Sequence, residues 1–91
     1  MTTASGPGQP GDTSIEATIL RLVTERGAGS ICPSEAARAL DPEWRRLLGP
    51  VRRVAIRLAR EGRIDILRKG RPVAPEDVRG VIRLRLRRQE E

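Results

Sequence analysis

The spacing of apolar residues changes along this 91-residue chain from a helical period to a period of two. Ile15, Ile19, Leu22 and Val23 recur at intervals that place them on one face of a helix. Residues 81–87 instead alternate isoleucine and leucine with arginine, a pattern typical of a half-buried antiparallel strand. The sequence therefore predicts an α+β protein that is mainly α.

One domain is expected to occupy most of the chain. Residues 1–12 have almost no large apolar side chain, so they are expected to form a disordered N-terminal tail. Residues 13–88 are predicted to form the domain, and residues 89–91 a frayed C-terminus. The tail lacks the features of a secretory signal, and no apolar run reaches membrane-spanning length. A cytoplasmic protein with no membrane partner is the resulting expectation.

Capping residues predict the first two helices. Thr13 and Glu16 have the spacing of a capping box, and they begin a first helix over Ser14–Arg26. Pro33 suits the first position of a second helix, which continues over Ser34–Leu40. The small alanines of this second helix would let another helix approach closely.

A third helix is predicted from Trp44 to about Arg60, with Asp41 as its cap. Pro50 removes one backbone hydrogen bond, so this helix is expected either to kink or to divide into a short and a longer helix. Trp44 is the only aromatic residue of the chain and falls on the apolar side of the predicted helix. It is therefore expected to be the largest side chain of an aliphatic core.

The remaining segments are predicted to be extended. Ser30–Cys32 is a short extended piece because Cys32 precedes a proline. A strand over Ile64–Leu67 is followed by a loop over Lys69–Gly80 and by the strand at 81–87. This order predicts a winged helix-turn-helix domain, with three helices and a small antiparallel β-hairpin, the wing (residues 64–87). A βαβ unit is excluded because no long crossover separates the strands.

The distribution of arginine is the main functional signal. The net charge is +6, and an excess of positive charge is typical of a surface that binds polyanions. On a helical wheel four arginines of the third helix lie roughly opposite its apolar face, with two more at the edge of that cluster: Arg46, Arg53, Arg57 and Arg60, then Arg45 and Arg52. No acidic residue occurs between Glu43 and Glu61, so this face is expected to have no compensating acid. The wing adds further cations. The predicted nucleic-acid-binding residues are Arg45, Arg46, Arg52, Arg53, Arg57, Arg60, Arg68, Lys69 and Arg71, with Arg79 as a further candidate.

These positions favour binding to double-stranded DNA, because the third helix of a helix-turn-helix enters the major groove and arginine pairs with phosphate and guanine. The third helix contains no Asn, Gln, Ser or Thr, which indicates phosphate attraction before base-specific recognition. Asp41 and Glu43 at its start would repel phosphate. The alternative is a protein-interaction module, which an exposed apolar patch on the third helix would favour.

The residue content argues against catalysis and metal binding. The chain has no histidine and one cysteine, so neither a usual zinc site nor an internal disulfide is expected, and no cofactor is predicted. Cys32 is expected to be a small buried hydrophobic residue. Ser34 lacks a base, so the chain is not expected to be an enzyme. With no extra dimerisation helix, a monomer or weak homodimer is expected.

Several short blocks carry a family resemblance. Residues 31–40 read ICPSEAARAL and are followed by Trp44-Arg45, and further matching blocks lie at 51–52, 61–64, 69–70 and 80–84. Together they resemble a small bacterial family of uncharacterised winged-helix proteins, domain of unknown function 3253. The resemblance implies the winged-helix fold and a location in the bacterial cytoplasm, and it implies no established activity.

Overall fold

The computed structural model of this protein describes residues 11–87, so most of the predicted tail and the frayed C-terminus lie outside the described residues. This part contains three α-helices, two short 3₁₀ helices and one antiparallel sheet. It is the mainly helical α+β arrangement predicted, and it is consistent with a winged helix-turn-helix. The elements are α1 (Asp12–Arg26), α2 (Pro33–Leu40), a first 3₁₀ helix (Trp44–Leu47), α3 (Leu48–Arg60), β1 (Ile64–Arg68), β2 (Arg71–Val73), a second 3₁₀ helix (Pro75–Asp77) and β3 (Arg83–Leu86).

A single aliphatic core lies between the three helices and one face of the sheet. Ile15, Ile19 and Val23 of α1 are buried in it, as the helical period predicts. Ala36 and Ala37 of α2 are also buried, and their small side chains permit close packing against α1 and α3. No charged residue among residues 11–87 is buried, so every arginine of this part reaches the surface.

The predicted capping box of α1 does not form. The helix begins at Asp12, two residues before the predicted start, and Gly11 caps it without a side-chain hydrogen bond. Glu16 pairs instead with two guanidinium groups, which are stronger partners for a carboxylate than a backbone amide. At α2, in contrast, a glutamate does cap the helix, since Glu35 Oε2 accepts a hydrogen bond from the Cys32 backbone N–H at 2.9 Å.

The predicted third helix is divided into a short helix and a longer one, which is one of the two outcomes expected from Pro50. The division lies before Gly49, because the 3₁₀ helix ends at Leu47 and α3 begins at Leu48. Pro50 is thus in the first turn of α3, where a missing N–H costs no hydrogen bond.

Trp44 and Cys32 are more exposed than predicted. Trp44 is half-buried at the edge of the core, one turn before Leu47 on the same face of the 3₁₀ helix, because side chains three residues apart in such a helix point the same way. Leu47, three residues later, is fully buried. Cys32 is half-buried at the start of α2, where its sulfur accepts a hydrogen bond from Ser34 Oγ at 3.2 Å.

The sheet has three strands in the order β2-β1-β3, one more than predicted. The predicted pairing of the first and last strands is confirmed, with Ile66 opposite Leu84. The additional strand β2 lies in the predicted loop and includes Pro72, which is tolerated because β2 is at an edge of the sheet. The predicted extended piece before α2 is also confirmed, since Ile31 pairs with Leu84 through two backbone hydrogen bonds of 2.8 Å.

Candidate nucleic-acid interface

Two arginines of α3 lie beside acidic residues supplied by α1. Arg53 Nη2 is 2.8 Å from Asp12 Oδ1, and Arg57 Nη2 is 2.6 Å from Glu16 Oε1. The expectation that this face has no compensating acid is therefore wrong. The acids are 41 residues away in the chain, so a helical wheel of α3 alone cannot reveal them.

The pairing of Arg57 is part of a larger network. Glu61 Oε2 lies 2.9 Å from Arg57, and Arg63 Nη1 lies 2.8 Å from Glu16 Oε2. Hydrogen bonds from Arg57 and then Arg63 hold the pKa of Glu16 below its usual value. Hydrogen bonds to Glu16 and Glu61 raise the pKa of Arg57 in turn. We call the cations that pair with these acids, Arg53, Arg57 and Arg63, the α1 flank.

The wing turn, residues 68–71, carries three cations without such compensation. Arg68 and Arg71 lie directly opposite each other in the β1–β2 pairing, with Lys69 between them. Lys69 and Gly70 have φ angles of 54° and 81°, as in the tight turns that match the twist of a hairpin. Within residues 11–87 none of the three cations has an acidic partner. Like charges directly opposite on paired strands are destabilising, so this turn keeps an arrangement that costs stability.

A hydrogen bond joins α3 to the wing. Arg52 Nη2 donates to the Gly80 carbonyl oxygen at 3.0 Å. Gly80, together with Lys69 and Arg79, lines an open groove of about 640 Å³ beside the wing turn. Neither Arg52 nor Arg79 has an acidic partner among the described residues. Arg68, Lys69 and Arg79 line the groove, Arg71 is paired with Arg68, and Arg52 reaches Gly80 at the groove. We call Arg52, Arg68, Lys69, Arg71 and Arg79 the wing flank.

The other three predicted residues lie outside both flanks. Arg46 pairs with Asp41 at 3.3 Å and with Glu43 at 3.7 Å. Arg60 is exposed in the last turn of α3, where a cation complements the helix dipole. Arg45 lies over the Trp44 ring, with 4.5 Å between its guanidinium carbon and the ring centroid. The structure thus brings together four of the nine predicted residues in the wing flank.

Sequence reasoning did not identify Arg38. Its guanidinium carbon is also 4.5 Å from the Trp44 ring centroid. Arg38 and Trp44 belong to different elements joined by a turn, so no helical spacing relates them. The presence of the chain's one tryptophan beside Arg45 was the only available signal.

Two acidic residues of the wing oppose its positive charge. Glu76 and Asp77 lie exposed in the second 3₁₀ helix, which packs against α3. Neither is paired with a cation among residues 11–87. They lower the positive potential of the wing flank without neutralising any one of its side chains.

The start of α2 has a structural arrangement of polar groups. Glu35 accepts the Cys32 N–H and lies 2.6 Å from Arg26 Nη2. The Cys32 amide first, and Arg26 in addition, hold the pKa of Glu35 below its usual value. Throughout the described part of the chain, no group of three or more His, Cys, Asp or Glu side chains is placed to hold a metal ion.

The fold and the two flanks define a small α+β domain with a winged helix-turn-helix-like arrangement and an unevenly compensated positive surface. The model of the family described as protein of unknown function (DUF3253) matches residues 12–87, and the chain belongs to this family. None of the curated proteins matches the chain. No helix within residues 11–87 has both the length and the apolar character needed to cross a membrane.

Proposed function

We propose that this protein is a bacterial, cytoplasmic DNA-binding protein, associated with transcription, that contacts the duplex through its wing flank. The wing turn is the observation that carries the proposal. It holds Arg68 and Arg71 opposite each other with Lys69 between them, and no acid of residues 11–87 compensates them. A phosphate backbone supplies the negative charge that such a turn lacks.

The wing flank is the part of the surface best suited to phosphate contact. Arginines of the α1 flank already donate to carboxylates, and phosphate must displace those carboxylates before it can bind. Cations of the wing flank meet no such competition from paired acids. We therefore assign the main DNA contacts to the wing flank, which consists of Arg52, Arg68, Lys69, Arg71 and Arg79. Arg53 and Arg57 have a structural role in this assignment.

Binding is expected to depend weakly on DNA sequence. Residues 48–60, which form α3, include no Asn, Gln, Ser or Thr to read base edges. Arginine can bind guanine, but four of the five cations of the wing flank lie on the wing and only Arg52 lies on α3, the helix expected to enter the major groove. Phosphate attraction then supplies most of the affinity, as in sequence-independent binding.

Fluorescence anisotropy of a labelled, mixed-sequence duplex, titrated with the full chain at several salt concentrations, tests this proposal. The five phosphate contacts of the wing flank contribute about −4 to −5 to the slope of a plot of log K against log salt concentration. A second duplex of different sequence is expected to give a similar slope and affinity. Micromolar or weaker binding that does not change with salt would overturn the proposal.

One observation favours a protein-interaction module as the second candidate. Val81 is 84% exposed, and it is the one large hydrophobic residue exposed among those described. It lines the groove beside Lys69 and Arg79, so an acidic protein segment with an apolar side chain would fit there. An exposed apolar patch on α3 would favour a protein partner for that helix, and no large hydrophobic residue of Leu48–Arg60 is exposed.

A further inference from the structure

Trp44 lies beside two guanidinium groups from different elements. The guanidinium carbons of Arg38, in α2, and Arg45, in the first 3₁₀ helix, are each 4.5 Å from the centroid of its ring. The two carbons can therefore be no further apart than the sum of those distances. Two cations this close repel each other, and the ring attracts both.

The acidic residues close to this cluster are committed elsewhere. Asp41 accepts the Glu43 backbone N–H at 2.7 Å, and both side chains lie within ion-pair distance of Arg46. Arg38 and Arg45 themselves have no acidic partner within residues 11–87. Both arginines are exposed, so their positive charge faces solvent.

A guanidinium group that lies over an aromatic ring keeps its N–H donors in its own plane. The group has five N–H donors, and contact with one ring leaves several of them available for an oxyanion. The half-buried ring also restricts two long side chains that would otherwise lose rotamer entropy when they bind. The cluster is thus preorganised for phosphate, which arginine binds through paired hydrogen bonds.

The position of the cluster relates it to the wing flank. Arg45 lies in the 3₁₀ helix that leads directly into α3, and Arg52 of α3 reaches the wing at Gly80. Within residues 11–87, cations without acidic partners therefore occur on α2 (Arg38), in the first 3₁₀ helix (Arg45) and in the wing flank. The acids of α1, in contrast, pair with Arg53 and Arg57.

We propose that Arg38, Trp44 and Arg45 form a second phosphate-binding site, which holds the sugar–phosphate backbone of the duplex that contacts the wing flank. This site rests on the proposed DNA-binding function and extends it to the α2–α3 turn. Trp44 acts as a positioning residue that holds the two guanidinium groups, and the arginines make the phosphate contacts.

Intrinsic fluorescence provides the test, because Trp44 is the only tryptophan and the chain has no tyrosine. The full chain is titrated with unlabelled duplex DNA while Trp44 emission is recorded, and a labelled duplex is titrated in parallel by anisotropy. We expect Trp44 emission to change with the same binding isotherm. Arg38→Gln and Arg45→Gln are each expected to weaken binding roughly five- to tenfold and to lower the magnitude of the salt slope by about 0.9.

Arg21→Gln is the matched control, since it removes the same charge from an exposed arginine of α1 that pairs with Glu25. It is expected to leave the salt slope and the Trp44 response unchanged. Arg38→Lys and Arg45→Lys keep the charge, and are expected to retain the salt slope while they alter Trp44 emission in the free protein. Circular dichroism melts confirm that each variant is folded, and the Trp44 emission of the wild type during the DNA titration decides the proposal for any glutamine variant that is not.

The outcomes separate this site from the proposed function. Salt-dependent DNA binding by the wild type, with unchanged Trp44 emission and wild-type slopes for Arg38→Gln and Arg45→Gln, would overturn the second site and leave the proposed function standing. An emission change without any loss of slope in those variants would also overturn it. A wild-type protein that does not bind the duplex would overturn both proposals.

Discussion

The environment of Trp44 shows that a residue on the apolar side of a helix can still lie outside the core. A helical wheel places Trp44 with the core residues, and the sequence accordingly predicts a buried side chain. In the 3₁₀ helix over Trp44–Leu47 the two side chains point the same way, but Trp44 is one turn further from the core, so Leu47 is buried and Trp44 stays at the edge. The guanidinium groups of Arg38 and Arg45 cover the ring instead.

This difference predicts an unusual order of stability effects. Leu47→Ala should destabilise the protein by about 2–5 kcal/mol, because it leaves a cavity in the core. Trp44→Ala should destabilise the protein by only about 1–2 kcal/mol, because the ring is only partly buried and solvent can fill the space it leaves. Chemical denaturation of both variants measures the order, and a larger loss for Trp44→Ala would contradict the half-buried position of the ring.

Glu16 provides a prediction about pH. Its pKa in the folded state is lowered by Arg57 and then Arg63, so its pairing stabilises the fold fully above the unfolded-state pKa. That stabilisation disappears as pH falls through the lower folded-state pKa. We therefore expect Glu16→Gln to be less stable than wild type at neutral pH, with a difference that declines in acid below the usual glutamate range.

Thermal melts of wild type and Glu16→Gln across this pH range measure the effect. Glu25→Gln is the control, because Glu25 is exposed and its nearest Arg21 nitrogen is 3.5 Å away. We expect it to differ little from wild type at any pH. A Glu16→Gln difference that stays constant, or grows in acid, would show that the network with Arg57 and Arg63 does not stabilise the fold.

At the scale of elements, patterns that act within one segment predicted the fold well. Helical spacing identified the core residues of α1 and α3, and alternation identified Ile82 and Leu84 as buried. Strand β2 was missed because it is three residues long and contains a proline, which local rules associate with loops. Its formation depends on pairing with β1, and that pairing is a tertiary contact.

The candidate site was less predictable for the same physical reason. A wheel of α3 places Arg53 and Arg57 opposite the apolar face and Arg52 at the edge of that cluster. It does not reveal that α1 supplies acids to the first two and the wing a carbonyl oxygen to the third. The wing cations were identified from their position around Gly70. Their lack of acidic partners depends on where all the acids lie, which only the folded chain defines.

Two glycines test the conformation of the elements. Gly70 has a φ of 81°, so Gly70→Ala should destabilise the protein by about 1 kcal/mol through strain at the wing turn. Gly49 is helical and a Cβ added there meets open space, but Pro50 follows it and disfavours a helical conformation for a residue that has a Cβ, so Gly49→Ala should change stability by less than about 0.5 kcal/mol. Urea denaturation measures both effects. Equal losses would contradict the assigned turn and helix.

At the scale of the whole molecule, the cations of the wing flank are left without acidic partners among residues 11–87. Glu76 and Asp77 are the acids closest to the wing flank in sequence, and neither has a cationic partner within residues 11–87. Glu76→Gln and Asp77→Asn should therefore raise duplex affinity, by about two- to fivefold together at low salt, through reduced repulsion of phosphate. Anisotropy titrations measure this, with Glu25→Gln on α1 as the control. An unchanged affinity would mean that DNA does not approach this side of the wing.

The most direct test compares the salt dependence of DNA binding for two triple variants that each remove three positive charges. One changes Lys69, Arg71 and Arg79 of the wing flank to glutamine, and the other changes Arg21, Arg53 and Arg87, which all pair with acids. We predict that the first lowers the magnitude of the salt slope by about 2.7 and that the second leaves it close to the wild-type value. Equal losses of slope in the two variants would contradict the claim that uncompensated cations of the wing, rather than total charge, bind the DNA.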